Sequence, residues 1–138
     1  MKSEKQRAKD RAWEWFSKYI RARDCLRTTG TVTQGRCCTC GAYKAFEDLQ
    51  AGHAIPGRGN AILFNEMLVH AQCERCNRHL GGNYIAYNDF MVRRYGQETV
   101  NQLWQDARKE VQFKTFELRF IAKQYREEYN KLVKGESR

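Results

Sequence analysis

Two cysteine pairs of matched spacing constrain this chain more than any other feature: Cys37-Cys38-Thr39-Cys40, closed by Gly41, and Cys73-Glu74-Arg75-Cys76, followed by Asn77. A Cys-x-x-Cys knuckle aims two thiolates at one point, so two knuckles complete a tetrahedral structural zinc site, and Gly41 lets the backbone fold beneath the metal. The expected ligands are Cys37, Cys40, Cys73 and Cys76. Cys38 is an alternative partner, because it forms a Cys-x-Cys pair with Cys40. Cys25 and Cys38 are otherwise left over as buried thiols. His53 lies between the two pairs, in a gap long enough for a hairpin and a loop.

At 138 residues the chain reads as one domain over 1–138, with a basic aromatic helix at 1–27, a zinc-bound core at 28–82 and a helical region at 83–138. Small cores of this size benefit from a metal staple. Lysine and arginine number 25 against 16 acidic residues, a net charge of +9, so a polyanionic partner is expected. No apolar run approaches the roughly 20 residues of a membrane span, and a membrane partner is not expected. The charged N-terminus does not read as a secretory signal. An intracellular, reducing compartment follows, where clustered cysteines read as metal ligands before disulfides.

Met1 to about Arg23 carries no Gly or Pro, and Trp13, Phe16 and Ile20 recur at helical spacing. Lys18, Arg21 and Arg23 lie on the basic remainder of that helix, which reads either as a solvated face or as an arm tracking phosphates. Thr28 to Arg36 reads as a loop, and Leu49 to Ile55 as a strand with His53 near its end. Pro56 stops regular structure, and Gly57-Arg58-Gly59-Asn60 forms a loop that suits close approach to a phosphate, with Arg58 at its tip. Ala61 to Ala71 delivers the second knuckle as a strand or turn. A helix is expected to start at Asn77 and break at Gly81-Gly82. Helices follow over Asn83–Tyr95, Gln97–Arg108 and Phe113 to about Val133, the last with an apolar stripe that packs on the core or on a second copy.

Ala51-Gly52-His53 and Cys73-x-x-Cys76-Asn77 together resemble the HNH, or His-Me finger, nucleases. The wider run is similar to the lambdoid-phage NinG/Rap recombination proteins. It comprises Phe64-Asn65-Glu66, Val69-His70-Ala71-Gln72-Cys73, Gly81-Gly82-Asn83 and Tyr87, with Trp15 to Asp24 upstream. The resemblance implies an α+β fold with a zinc-stapled ββα-metal core flanked by helices, and a structure-selective endonuclease acting on branched DNA such as Holliday junctions and D-loops. It makes His53 the general base and Asn77 a ligand of a catalytic Mg2+ or Mn2+. It also implies the cytoplasm of a bacterial host cell, with phage recombination proteins as partners.

Two positions depart from the HNH pattern. Leu68 stands where the middle Asn of the signature falls, with Asn65 as a substitute nearby, and Gly52 stands where many relatives carry a metal-binding Asp. Asp48 or Glu47 is then the candidate for the missing carboxylate. The chemistry needs a water stripped of its proton and a divalent cation to stabilise charge on the phosphate. Neutral imidazole suits the first task, and an amide oxygen suits a hard ion. Arg58, Arg75, Arg78 and His79 are expected to contact phosphate near the cut, while His70 braces the site or binds the ion. The rival readings are a non-catalytic zinc-ribbon DNA-binding accessory protein and an RNA-binding zinc protein. A homodimer would suit symmetric incision of a four-way junction.

Overall fold

The structure, a computed structural model, describes residues 1–136. Helix α1 (Glu4–Thr29) starts at Ser3, whose hydroxyl accepts the Gln6 N–H, and ends at Gly30, where a left-handed residue turns its N–H back to the Leu26 carbonyl. It therefore runs beyond the expected Arg23, since nothing before Gly30 breaks it. Thr28 and Thr29, read as loop, donate their hydroxyls to the Asp24 and Cys25 carbonyls at 2.8 and 2.9 Å. Ala8, Ala12, Phe16 and Ile20 form its buried stripe. The two alanines let a long C-terminal helix, α5 (Thr115–Glu136), lie along it, with Leu118, Ala122 and Tyr125 buried in the contact. The α5 stripe thus packs within this chain, leaving Phe116 and Phe120 exposed.

Between these helices sit two antiparallel hairpins. Strands β1 (Gln34–Arg36) and β2 (Tyr43–Ala45) flank the first knuckle. Strands β3 (Leu49–His53) and β4 (Val69–Cys73) pair from Leu49↔Cys73 to His53↔Val69. β3 ends at His53, short of the expected Ile55, because the chain turns away towards Pro56. The segment joining β3 to β4 carries one helical turn, α2 (Asn60–Leu63), where sequence suggested only loop and strand. A single π-helical turn, Arg75–His79, follows β4, and then α3 (Tyr84–Tyr95) and α4 (Gln97–Asp106). Two cores adjoin the hairpin. Ala51 and Val69 pack on Phe16, Ile20 and Tyr125 under α1, while Leu68, Tyr87, Met91, Val100 and Leu103 form the other.

One polar knot ties α1 to the free edge of β4. The Asp24 carboxylate accepts the Arg23 guanidinium at 2.9 Å and the Ala71 N–H at 2.8 Å, and lies 3.4 Å from His70 Nδ1. Arg23 also donates to the Glu66 and Val69 carbonyls. At 8% exposure and with these bonds made, Arg23 is not a surface contact for nucleic acid, contrary to the sequence expectation. A charge on a helix face is visible locally; its burial against β4 is a tertiary fact.

Candidate functional site

The four expected zinc cysteines converge. The sulfurs of Cys37, Cys40, Cys73 and Cys76 all lie within 4.8 Å of one another, with Cys40 and Cys73 at 3.7 Å. A zinc tetrahedron with Zn–S of about 2.3 Å has sulfur–sulfur edges of about 3.8 Å, so the donor set fits a structural zinc ion. Two local structures supply it: the β1–β2 turn, closed by Gly41 N–H donating to the Cys37 carbonyl, and the junction of β4 with the π-helical turn. The Asn83 amide donates to Cys76 Sγ at 3.5 Å, an outer support for that ligand. Cys38 stays outside the cluster; its N–H donates to the Ala71 carbonyl. Cys25 is buried beside Leu49 and Ala71.

Along the other edge of the hairpin runs a cleft of about 690 Å³, lined among others by Trp13, Arg21, Gln50, His53, Arg58 and Asn77. Four residues singled out from sequence, His53, Asn77, Arg58 and Arg21, therefore share one cavity. His53 is 6% exposed, and its ring stacks on Trp13 with centroids 5.2 Å apart and planes at 18°. The Arg58 guanidinium sits 4.5 Å from the centroid of the same indole. Arg58 holds φ 47, a conformation that bulky residues rarely adopt and that the flanking loop enforces. His53 Nε2 lies 3.3 Å from the Leu63 carbonyl. A carbonyl can only accept, so this nitrogen carries the proton and Nδ1 keeps its lone pair. Burial pushes the His53 pKa down to about 4; the Leu63 carbonyl pulls it up, and the Arg58 charge adds to the depression. The ring is neutral at pH 7.

Asn77 Nδ2 donates to Gln50 Oε1 at 2.7 Å, which fixes the amide and turns its oxygen towards Gly52. Gln72 reaches the same place from β4. Its Nε2 donates to Thr39 Oγ1 and to the Gly82 carbonyl, and its Oε1 is buried with no hydrogen-bond partner among the described residues. A Cβ on residue 52 would collide with that oxygen and approach Asn77 Oδ1 to 3.0 Å, so any side chain there requires the Gln72 amide to move. Gly52→Ala is expected to cost about 1–3 kcal/mol of stability through this overlap. Combined with Gln72→Ala in a thermal or denaturant melt, the loss should be smaller than the two single losses added. Additive losses would show that the two residues do not compete for one space.

Among the described residues, those lining the His53 cleft include no carboxylate. Asp48 and Glu47 line a separate groove with Gln50, Arg75 and His79, below the zinc cysteines. Asp48 precedes the first residue of β3 and His53 is its last, a separation of about 17 Å along five residues of strand. Asp48 is thus not brought to His53, and neither is Arg75. Arg78 is exposed and pairs with Glu74 at 3.4 Å, and Lys18 pairs with Glu14 at 3.7 Å over the Trp15 ring. Leu68 is core, and Asn65 accepts the Met67 N–H, shaping the turn into β4. His70 is 2% exposed within the Asp24 knot and also meets the Tyr95 hydroxyl at 2.9 Å, away from the cleft. The structure adds Trp13, the Leu63 carbonyl, Gln50 and Gln72 to the site. Trp13 was visible in the sequence as part of the apolar stripe of α1, without a sign that it reaches His53.

A family model described as Bacteriophage Lambda NinG protein matches residues 1–136. Among curated proteins the chain is similar to protein ninG of Escherichia phage lambda, 34% identical over 68 residues, covering 49% of this chain and 33% of that protein. It is also similar to protein ninG of Salmonella phage P22, 27% identical over 97 residues, covering 70% of this chain and 47% of that one. The chain spans between a third and a half of the length of these relatives. No solved structure matches it.

Proposed function

The chain belongs to the NinG family of lambdoid phages, and from that premise we propose that it is a metal-dependent DNA endonuclease acting on branched recombination intermediates such as four-way junctions and D-loops. The observation that carries the reading is His53. It is neutral, and the Leu63 carbonyl holds its tautomer, so Nδ1 is left unprotonated on a residue of a cleft that also holds Arg58, Arg21 and Asn77. The order of β3, β4 and a helical turn bearing Asn77 supports an HNH-like core. In this mechanism His53 Nδ1 takes a proton from the attacking water, while stacking on Trp13 fixes the ring plane. Arg58 and Arg21 hold the phosphate. Asn77 Oδ1 is the neutral oxygen on the cleft that would help to hold a hard divalent ion such as Mg2+ or Mn2+, whose remaining shell is water and substrate phosphate. When bound, such an ion neutralises charge on the phosphate and the leaving oxygen. The zinc site keeps Asn77 in register with the hairpin. A second copy of the chain and other phage recombination proteins are partners that this reading admits.

A second reading, a DNA-binding accessory protein without catalysis, draws on the lack of a carboxylate in the cleft. Cleavage of labelled four-way junction and linear duplex by wild type and His53→Ala, with Mg2+, with Mn2+ and with neither, separates the two. The expected result is ion-dependent cutting of the junction, reduced about 10²–10⁴-fold in His53→Ala, with DNA binding retained. Because the His53 pKa is depressed, the basic form persists as pH falls, and cutting should decline only well below 6.5, towards about 4. Equal cutting by both proteins would remove His53 as the base. Binding by both without cutting under either ion would establish the accessory reading.

A further inference from the structure

The His53 cleft lies along β3, whereas the free edge of β4 borders a second cleft of about 410 Å³ walled by Arg27, Arg36, Arg93 and Arg94. The backbone bonds place the two on opposite edges of one hairpin. β3 and β4 pair with each other, and the outer edge of β4 is met at Ala71 by the Asp24 carboxylate and the Cys38 N–H, both from residues lining the second cleft. Among the described residues the anionic groups on that lining are Asp24, whose carboxylate is already taken up by Arg23, His70 and the Ala71 N–H, and the zinc-binding thiolates of Cys37 and Cys40, which share their charge with the ion. Arg27 makes a long ion pair with the Asp24 carboxylate at 3.9 Å, beyond hydrogen-bond range. Arg93 pairs with the exposed Asp89 at 3.3 Å, and Arg36 is braced by the Gly41 carbonyl and the Tyr43 ring. Guanidinium groups with charge to spare, gathered around one hollow, match the spaced anions of a nucleic-acid backbone and read no base sequence.

We propose that this arginine cleft is a second phosphate-backbone site, which takes a DNA segment separate from the one in the His53 cleft. A ligand that fills both must reach around the hairpin from β3 to β4. A branch point or a sharp bend allows that, and a straight duplex does not. Branch preference would then reside in charge placed away from the cutting site. The inference rests on the proposed action on DNA, but it concerns binding and can fail separately.

The test is the affinity of the zinc-loaded full chain for a labelled four-way junction and for a linear duplex of the same arm sequence, at several salt concentrations with no divalent ion added. Wild type is compared with the Arg27→Gln, Arg93→Gln, Arg94→Gln triple variant. These three side chains are exposed, and zinc content and melting temperature report that the fold is kept. The triple variant should lose junction affinity at least tenfold, and its dependence of log affinity on log salt should be shallower by about 2.7, at about 0.9 per lost phosphate contact. Affinity for linear duplex should hold within about threefold. Should the triple variant misfold, Arg94→Gln alone should flatten the junction slope by about 0.9. Equal losses on both DNAs would mean a general charge effect and overturn the second site, as would no loss on either. An unchanged salt slope in the triple variant, with ion-dependent junction cutting retained when Mg2+ is then added, would overturn this site and leave the nuclease reading standing. Wild type that binds neither DNA would overturn both.

Discussion

Cys73→Ser should yield a protein that binds no stoichiometric zinc and has lost the order of its knuckle half. Ligation of a structural zinc ion is worth about 10–16 kcal/mol in small metal-folded peptides, as large as the total stability of an ordinary domain. Here the four sulfurs come from two separate turns, and the β1–β2 hairpin has only three paired positions, too few to persist alone. Once the ion is gone, nothing of comparable strength joins that hairpin to the β4 end, and the π-helical turn that carries Asn77 loses its anchor at Cys76. The α1–α5 contact does not pass through the knuckle, so helical content should survive while the melting temperature falls by about 20 °C or more. Metal analysis with thermal melting checks this: one zinc per wild-type chain, and none in Cys73→Ser. Cys38→Ser should keep both zinc and melting temperature, which separates Cys37 from its neighbour as the ligand. A wild-type protein free of zinc, melting where Cys73→Ser melts, would defeat the metal assignment.

The knuckles were legible because their spacing is local: two residues between thiols fix a turn wherever the chain goes. His53 at the end of a strand was legible for the same reason, as strand and turn signals meet there. What escaped is set by tertiary contacts. The carbonyl that holds the His53 tautomer comes from Leu63, at the end of one helical turn too short to leave a periodic signal. Gln72 reads as an ordinary polar residue of a strand, yet its buried amide crosses to Gly52 and occupies the space that a Cβ there would need. That close approach gives the missing Asp a physical account, since the space of a residue-52 side chain is already filled. Asp48 looked close to His53 in sequence, but an extended strand separates neighbours faster than any other structure. Arg23 looked like a DNA contact because its charge is local and its partners are not.

Asp24→Asn should be the most damaging single change away from the zinc site. The substitution keeps the shape but removes the charge facing the buried Arg23, and a buried pair broken from one side costs about 3–5 kcal/mol. The same carboxylate accepts the Ala71 N–H, so α1 and the edge of β4 loosen together. The pH dependence gives a second readout of opposite design. Burial alone would raise the Asp24 carboxyl; the His70 hydrogen bond and the Arg23 charge outweigh it and hold it below the usual carboxylate range. Its contribution is therefore full above the unfolded value of about 3.9 and is lost as pH falls through the lower folded one. His53 and His70 are both held below their ordinary value by burial, so the unfolded chain binds more protons below about 6.5 and stability falls with pH there as well. Wild type should accordingly weaken in two stages on acidification. Asp24→Asn should start lower and lack the stage below pH 4. Denaturant melts across that range decide the matter: a loss under about 1 kcal/mol at pH 7, with the acid stage intact, would mean that Arg23 is held by the Glu66 and Val69 carbonyls and not by Asp24.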